Sequence, residues 1–332
     1  MRNLLTYLRV SEWYDSKIPM MMSVLLFFYV CDTSVFTYHD FLIRYSCYFI
    51  FITMFLAFGY VINDYSDIEV DKRVGKKKLI AQMPTAAVNL SLVSLFILGN
   101  LPFLYLSHFT ATSVAFVVLT YFLGASYSIK QFRFKEKGIH GLIVCSFAQK
   151  SFPLLGILFL IKVNSFQFLC WFLLSFINGL RYILIHQMLD LENDRLSSVH
   201  TYVSSGANYV KEGVYLCFVM EIALLGILTV PLFMKHPIIM ISLGIAYIII
   251  EWIIITFVND YMHKPCFFTY DAVPLEDLYN IYIPMVLTVF IAMEYRQAYF
   301  LVLLTGIYLF RTFLNKMSMV RVYCKAQLRR SA

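Results

Sequence analysis

Long apolar stretches, separated by short charged loops, leave this chain few folds to choose from. They lie at about 18–31, 42–62, 84–106, 109–127, 141–161, 166–189, 213–234, 238–258, 281–294 and 298–315. A helix needs about 20 mostly apolar residues to cross hydrocarbon, where only helices and closed barrels satisfy their own backbone. Of the 332 residues, 60% are hydrophobic and 14% charged, against roughly a quarter charged in soluble domains. Mean hydropathy is +0.72. The chain therefore reads as an all-α, polytopic transmembrane bundle of nine or ten helices, the last two stretches being short.

Lys and Arg collect on the cytoplasmic side of a membrane protein. Residues 1–17 carry Arg2, Arg9 and Lys17; 63–85 carry Lys72, Arg73, Lys76, Lys77 and Lys78; 128–140 carry Lys130, Arg133, Lys135 and Lys137. The alternate loops hold little beyond Lys162 and Lys235. The N-terminus and the loops after even-numbered spans are thus expected in the cytoplasm. The basic tail, 316–332, favours the same side and hence ten spans. Residues 1–17 are amphipathic, and no small-residue cleavage site marks them as a signal peptide. The net charge of +7 is spread through these loops, a topology pattern with no nucleic-acid patch in it. The seven cysteines are scattered, mostly in apolar runs, and predict neither a disulfide frame nor a metal site.

Two acidic segments sit at the mouths of spans on that side. In NDYSDIEVD, residues 63–71, Asn63, Asp67 and Asp71 are four apart and share one helix face, with Asp64 and Glu69 off it. In HQMLDLENDR, residues 186–195, Asp190 and Asp194 are again four apart, with His186 one turn earlier. Each segment follows the second span of its half, a faint internal repeat. Stacked carboxylates repel by a few tenths of a kcal/mol on an exposed helix and by several kcal/mol nearer lipid, so a counter-charge is expected between them. An oxygen-only donor set suits Mg²⁺, which bridges to phosphate oxygens, and the lack of a His/Cys set argues against zinc. A third stretch, LGASYSIKQFRFKEKG at 123–138, offers Tyr127, Lys130, Arg133 and Lys135 to hold a diphosphate, Arg by paired contacts and Lys as a point charge. The plainer alternative is solvated loop acids beside topological lysines, and Lys76 to Lys78 are read as such anchors.

These residues resemble the UbiA superfamily of intramembrane prenyltransferases. NDYSDIEVD is similar to its N-x-x-x-D-x-x-x-D motif, HQMLDLENDR contains its D-x-x-x-D, and Tyr127, Ser128, Arg133, Lys135 and Gly138 resemble its Tyr-Ser…Arg-x-Lys…Gly loop. Order, separation and sidedness agree over most of the chain. The resemblance implies one transmembrane domain over 1–332, with about nine helices around a central cavity and a polar cytoplasmic cap. It also implies that Asn63, Asp67, Asp71, Asp190 and Asp194 bind Mg²⁺ and the diphosphate of a prenyl donor, with Asp67, Asp71, Asp190 and Asp194 as the catalytic acids. The prenyl group would pass to a small-molecule acceptor, aromatic or other. Lys150, Asn178, Arg181, His186 and Gln187 are polar residues within or at the end of spans, placed to touch the acceptor or to support Asp190. For Arg181 the alternative is a structural pairing with an interior acid or backbone carbonyls. One departure stands out: KKKLIAQ occupies the place where many members have Arg-Pro.

An intramembrane terpene cyclase would share the same ionisation and the same motifs. A CDP-alcohol phosphotransferase would need D-G-x-x-A-R, which is absent. A membrane transporter would show Gly/Pro-broken helices and midplane binding residues, whereas here the acids cluster at one face and only 13 Gly are spread through the chain.

Overall fold

The computed structural model describes residues 2–31, 37–73, 75, 78–197, 200–262, 273–295 and 298–310. Among them every regular element is helical. The helices are α1 (Arg2–Tyr7), α2 (Val10–Trp13), α3 (Ile18–Cys31), α4 (Tyr38–Ser66), α5 (Ile68–Arg73), α6 (Thr85–Leu106), α7 (Ala111–Ser126), α8 (Ile139–Ser146), α9 (Ile157–Leu160), α10 (Ser165–Leu189), α11 (Leu191–Ser197), α12 (Val210–Lys235), α13 (Pro237–Met262), α14 (Val273–Asp277), α15 (Ile283–Glu294) and α16 (Tyr299–Phe310). Six helical stretches are long and apolar enough to cross a membrane: α4, α6, Ile139–Leu160, α10, α12 and Leu275–Glu294. The apolar helices α3, α7, Pro237–Trp252 and α16 are shorter. The basic tail lies outside the described residues.

Helix starts follow from capping chemistry. Thr37 accepts from the Asp40 amide at 3.2 Å to open α4, Thr110 accepts from Ser113 at 3.2 Å to open α7, and Asn164 accepts from Phe166 and Gln167 at 3.1 Å to open α10. Each satisfies amides that the first turn leaves without a partner. The stretch Ile139–Leu160 is not uniform. A π-helical turn, Phe147–Ser151, and a 3₁₀ turn, Phe152–Gly156, separate α8 from α9. Pro153 has no amide proton to give an α-helical ladder, and the π turn buries Lys150.

The chain forms two compact units, Met1–Tyr14 with Val35–Leu228, and Asp15–Ser34 with Thr229–Ala332. In the first, α4 packs along α6, and Gly99 is the reason it can: a Cβ there would lie 2.6 Å from the Met54 Cβ. Gly179 does the same for α10 and α8, where a Cβ would meet the Ser146 Oγ at 2.4 Å. The core between α4, α6 and α7 is aromatic, with Phe51 stacked on Phe103 at 4.9 Å and Phe116 at 5.8 Å from Phe51. In the second unit α3 packs on α15. Lys235 donates to the Val30 carbonyl at 2.9 Å and pairs with Glu294, while the His236 ring stacks on Phe290 at 4.9 Å.

Candidate functional site

All the acids singled out by spacing lie in the first unit, at the ends of α4 and α10. α4 runs to Ser66, and Asp67 then leaves the helical region with φ −97° and ψ 2°. The short helix α5 follows. Helical bonding survives the break: the Asp67 amide donates to the Asn63 carbonyl at 3.0 Å and the Asp71 amide to the Asp67 carbonyl at 2.8 Å. Asn63, Asp67 and Asp71 thus stay stacked, as the four-residue spacing predicts, with Asp67 and Asp71 buried. The second segment repeats this construction. Asp190 caps α10 with φ −90° and ψ 3°, and α11 continues. The Asp190 amide donates to the His186 carbonyl at 3.0 Å, and that of Asp194 to the Asp190 carbonyl at 2.8 Å. Both first aspartates occupy the sparsely allowed bridge region, where active-site residues are over-represented.

The loop after α7 meets the first segment. Ser128 donates to the Asn63 Oδ1 at 2.7 Å. Lys135 forms an ion pair with Asp67, and Arg133 lies 3.7 Å from Asp67 while bonding Glu136 at 2.6 Å. The loop is held shut by the Lys135 amide on the Tyr127 carbonyl at 3.1 Å. Its path demands unusual backbone. Gly138 has φ 53° and ψ −124°, open to glycine alone, and a Cβ on Gly141 would come 2.4 Å from the Phe134 carbonyl oxygen. Arg133 itself takes φ 41°, uncommon for a residue with a side chain. Lys130 pairs with Glu69 at 3.1 Å, both largely exposed.

Tyr127 packs against the buried cluster of Leu142, Cys145, Ile183 and Leu184, so the start of the basic loop touches α8 and the part of α10 that leads to Asp190.

Other sequence candidates are placed differently. His186 lies 3.5 Å from Asp190 on an open surface. Gln187 is buried and accepts from the Val203 amide at 3.3 Å. Lys150, Asn178 and Arg181 do not join the acidic segments. Arg181, nine residues before Asp190 and so roughly 13 Å along the helix, donates to both oxygens of Glu221 at 2.6 and 3.3 Å. Asn178 donates to Glu221 at 3.1 Å and accepts from Lys150, whose ammonium lies 5.0 Å from the Tyr182 ring centroid. Arg181 thus has the interior acid partner that was its structural alternative.

Three side chains in these ion pairs were not among the sequence candidates. Asp64, set aside as off the face, is buried and takes Arg9 at 3.1 Å and Lys78 at 2.7 Å. Lys78, read as a topological anchor, also reaches Asp71 at 2.6 Å. Burial works against its ammonium, yet hydrogen bonds and charge from Asp64 and Asp71 more than offset that and leave its pKa raised. Glu221 had a readable signal, as an acid inside an apolar run with Arg181 as the natural complement.

The donor chemistry fits Mg²⁺. Every candidate ligand is a carboxylate or amide oxygen, at the ends of α4 and α10 or on the short helices that follow them. Among the described residues no three His, Cys, Asp or Glu side chains form a ready-made cluster.

Comparison with known proteins gives the same architecture. The structure of a UbiA homologue from Archaeoglobus fulgidus bound to GPP and Mg²⁺ superposes with a TM-score of 0.58 at 16% identity, over 87% of this chain and 98% of that one. A Cd²⁺-bound structure of a UbiA homologue from the same organism gives 0.54 at 16%, over 86% and 99%. A structure described for digeranylgeranylglyceryl phosphate synthase in membranes gives 0.54 at 16%, over 86% and 98%. No curated protein matches the chain significantly. The model of the UbiA prenyltransferase family matches residues 20–270, most of the chain and both acidic segments, and the protein belongs to that family.

Proposed function

We propose that this chain is a Mg²⁺-dependent intramembrane prenyltransferase that ionises a prenyl diphosphate and transfers the prenyl group to a small-molecule acceptor, releasing diphosphate. The observation that carries the reading is that the basic loop meets the first acidic segment through Lys135 on Asp67 and packs Tyr127 against Ile183 and Leu184 of α10, the helix that ends at Asp190. The Archaeoglobus fulgidus homologue, whose structure holds GPP and Mg²⁺, supports the donor class.

Asn63, Asp67, Asp71, Asp190 and Asp194 would hold the metal, which when bound neutralises charge on the departing diphosphate. Arg133 and Lys135 supply cationic donors beside Asp67, placed to share that charge. Tyr127, a phenol and so protonated at neutral pH, would serve as a neutral donor to phosphate oxygen. The apolar, aromatic-rich spans exclude water that would quench the allylic cation, and aromatic faces stabilise it. By the distribution of Lys and Arg these loops face the cytoplasm, within a single domain of nine or ten spans.

The test is release of diphosphate from a panel of prenyl diphosphates by purified protein, with and without Mg²⁺ and with candidate acceptors such as phenols, quinone precursors and indoles. Asp67→Ala and Asp190→Ala should abolish turnover while inserting normally. Full activity of either variant removes the metal role, and a terpene made from donor alone points to cyclisation instead of transfer.

A further inference from the structure

The two acidic segments share more than their kinked backbones. Aligning Asp67 with Asp190 sets Asp71 against Asp194 and Asp64 against Gln187. Asp64 and Gln187 are both buried, three residues before the kink. Each grips the chain that returns after the short helix: Asp64 accepts from Lys78 at 2.7 Å, and Gln187 accepts from the Val203 amide at 3.3 Å. The returning chain then delivers a donor to the second aspartate. Lys78 reaches Asp71 at 2.6 Å, and the Thr201 hydroxyl donates to the Asp194 Oδ2 at 3.0 Å. Thr201 is itself held in a turn, its amide donating to Ser204 Oγ at 2.8 Å.

Such support is physically required. α5 has six residues and α11 has seven. Helices of that length do not persist alone in water, where about 12–15 residues are marginal. Both lie beyond a non-helical residue, so α4 and α10 carry Asp71 and Asp194 only through the helical bonding that crosses each kink. The second aspartate of each segment needs a tertiary tether, and each half has one, built from different chemistry.

We propose that Asp64 with Lys78, and Gln187 with Thr201, are equivalent positioning residues that fix the second aspartate of each segment for a divalent cation. The proposal rests on the metal-binding role given above to Asp71 and Asp194. It sets Lys78 apart from the neighbouring lysines as part of the site, and it places the donor to Asp194 in a loop that carries none of the family motif residues named above.

The experiment uses the full-length protein in detergent. Mn²⁺ binding is followed by electron paramagnetic resonance with inorganic diphosphate present, alongside the Mg²⁺ concentration for half-maximal diphosphate release. Thr201→Val and Lys78→Met are each expected to weaken Mn²⁺ binding by about tenfold or more, the usual cost of losing a group that orients a ligand. Thr201→Ser and Lys78→Arg restore it. The sign is diagnostic for Lys78. If the lysine were merely a competing cation, removing it would tighten Mn²⁺ binding; as a positioning residue its loss weakens it. Unchanged or tighter binding in Thr201→Val and Lys78→Met overturns the proposal, as does failure of the serine variant to restore binding. Should Lys78→Met not fold, the near-isosteric Thr201→Val decides alone. If the variants show the expected Mn²⁺ differences but wild-type protein releases no diphosphate, positioning stands and the enzymatic reading falls. Turnover whose metal dependence ignores all four variants has the opposite meaning, and no Mn²⁺ binding by wild type sinks both.

Discussion

Glu221→Gln should destabilise the protein by about 3–5 kcal/mol, the cost of removing one partner of a buried ion pair. Arg181 and Glu221 are 1% and 0% exposed, and the guanidinium engages both carboxylate oxygens at 2.6 and 3.3 Å. Polar pairs between membrane helices average only about 0.6 kcal/mol, but that figure describes hydrogen bonds. Here the substitution removes the charge and keeps the shape, since Gln still offers Asn178 an acceptor. The guanidinium loses the carboxylate it faces, with the Lys150 ammonium already in the same network through Asn178. A loss of this size lowers the unfolding midpoint in detergent by about 10 °C, taking roughly 2–4 °C per kcal/mol for large domains. The double variant Arg181→Met/Glu221→Gln removes both charges and should recover most of the loss. The assay is thermal unfolding of purified single and double variants at fixed detergent and lipid. A midpoint for Glu221→Gln within about 2 °C of wild type, below what 1 kcal/mol would give, refutes the reasoning. So does a double variant no more stable than the single, because the loss would then be one of packing.

Gly179→Ala should cost about 1–3 kcal/mol by overpacking, because its Cβ would lie 2.4 Å from the Ser146 Oγ and 3.1 Å from the Ser146 Cα. Gly59→Ala, with nothing within 4 Å, should instead stabilise α4 by about 0.5–1 kcal/mol; the same melts decide both. Gly141→Ala pushes on the Phe134 carbonyl at 2.4 Å and should displace Lys135 from Asp67, lowering diphosphate release more than it lowers the melting temperature. Lys130→Ala should change stability by less than about 1 kcal/mol, since its partner Glu69 is 70% exposed and such pairs are worth little.

Local periodicity made part of the candidate site legible. Asn63, Asp67 and Asp71 were recoverable as one face because helical bonding crosses the kink at Asp67, and Asp190 and Asp194 for the same reason. Lys135 and Arg133 were legible as a basic loop between two acid-tipped spans. The pairing of Asp64 was not legible because its partners, Arg9 and Lys78, stand 55 and 14 residues away, beyond any helical repeat. Lys78 looked like its neighbours Lys76 and Lys77, since charge alone carries no information about which lysine turns back. Arg181 was recognised as out of place in an apolar span, but its partner, 40 residues on, was not.

Composition and span length alone decided that this chain is a helical membrane protein, because hydrocarbon admits only helices and closed barrels and apolar runs of about 20 residues suit the helix. Spacing alone decided which carboxylates stack, because side-chain direction along a helix depends on nothing beyond the helix itself. Which cation meets which carboxylate was decided only by the tertiary structure. Ion pairs form between whatever groups the packed helices bring within a few ångströms, and that choice is set by the close approaches at Gly99, Gly141 and Gly179 and by the paths of the loops, neither of which has a local signature.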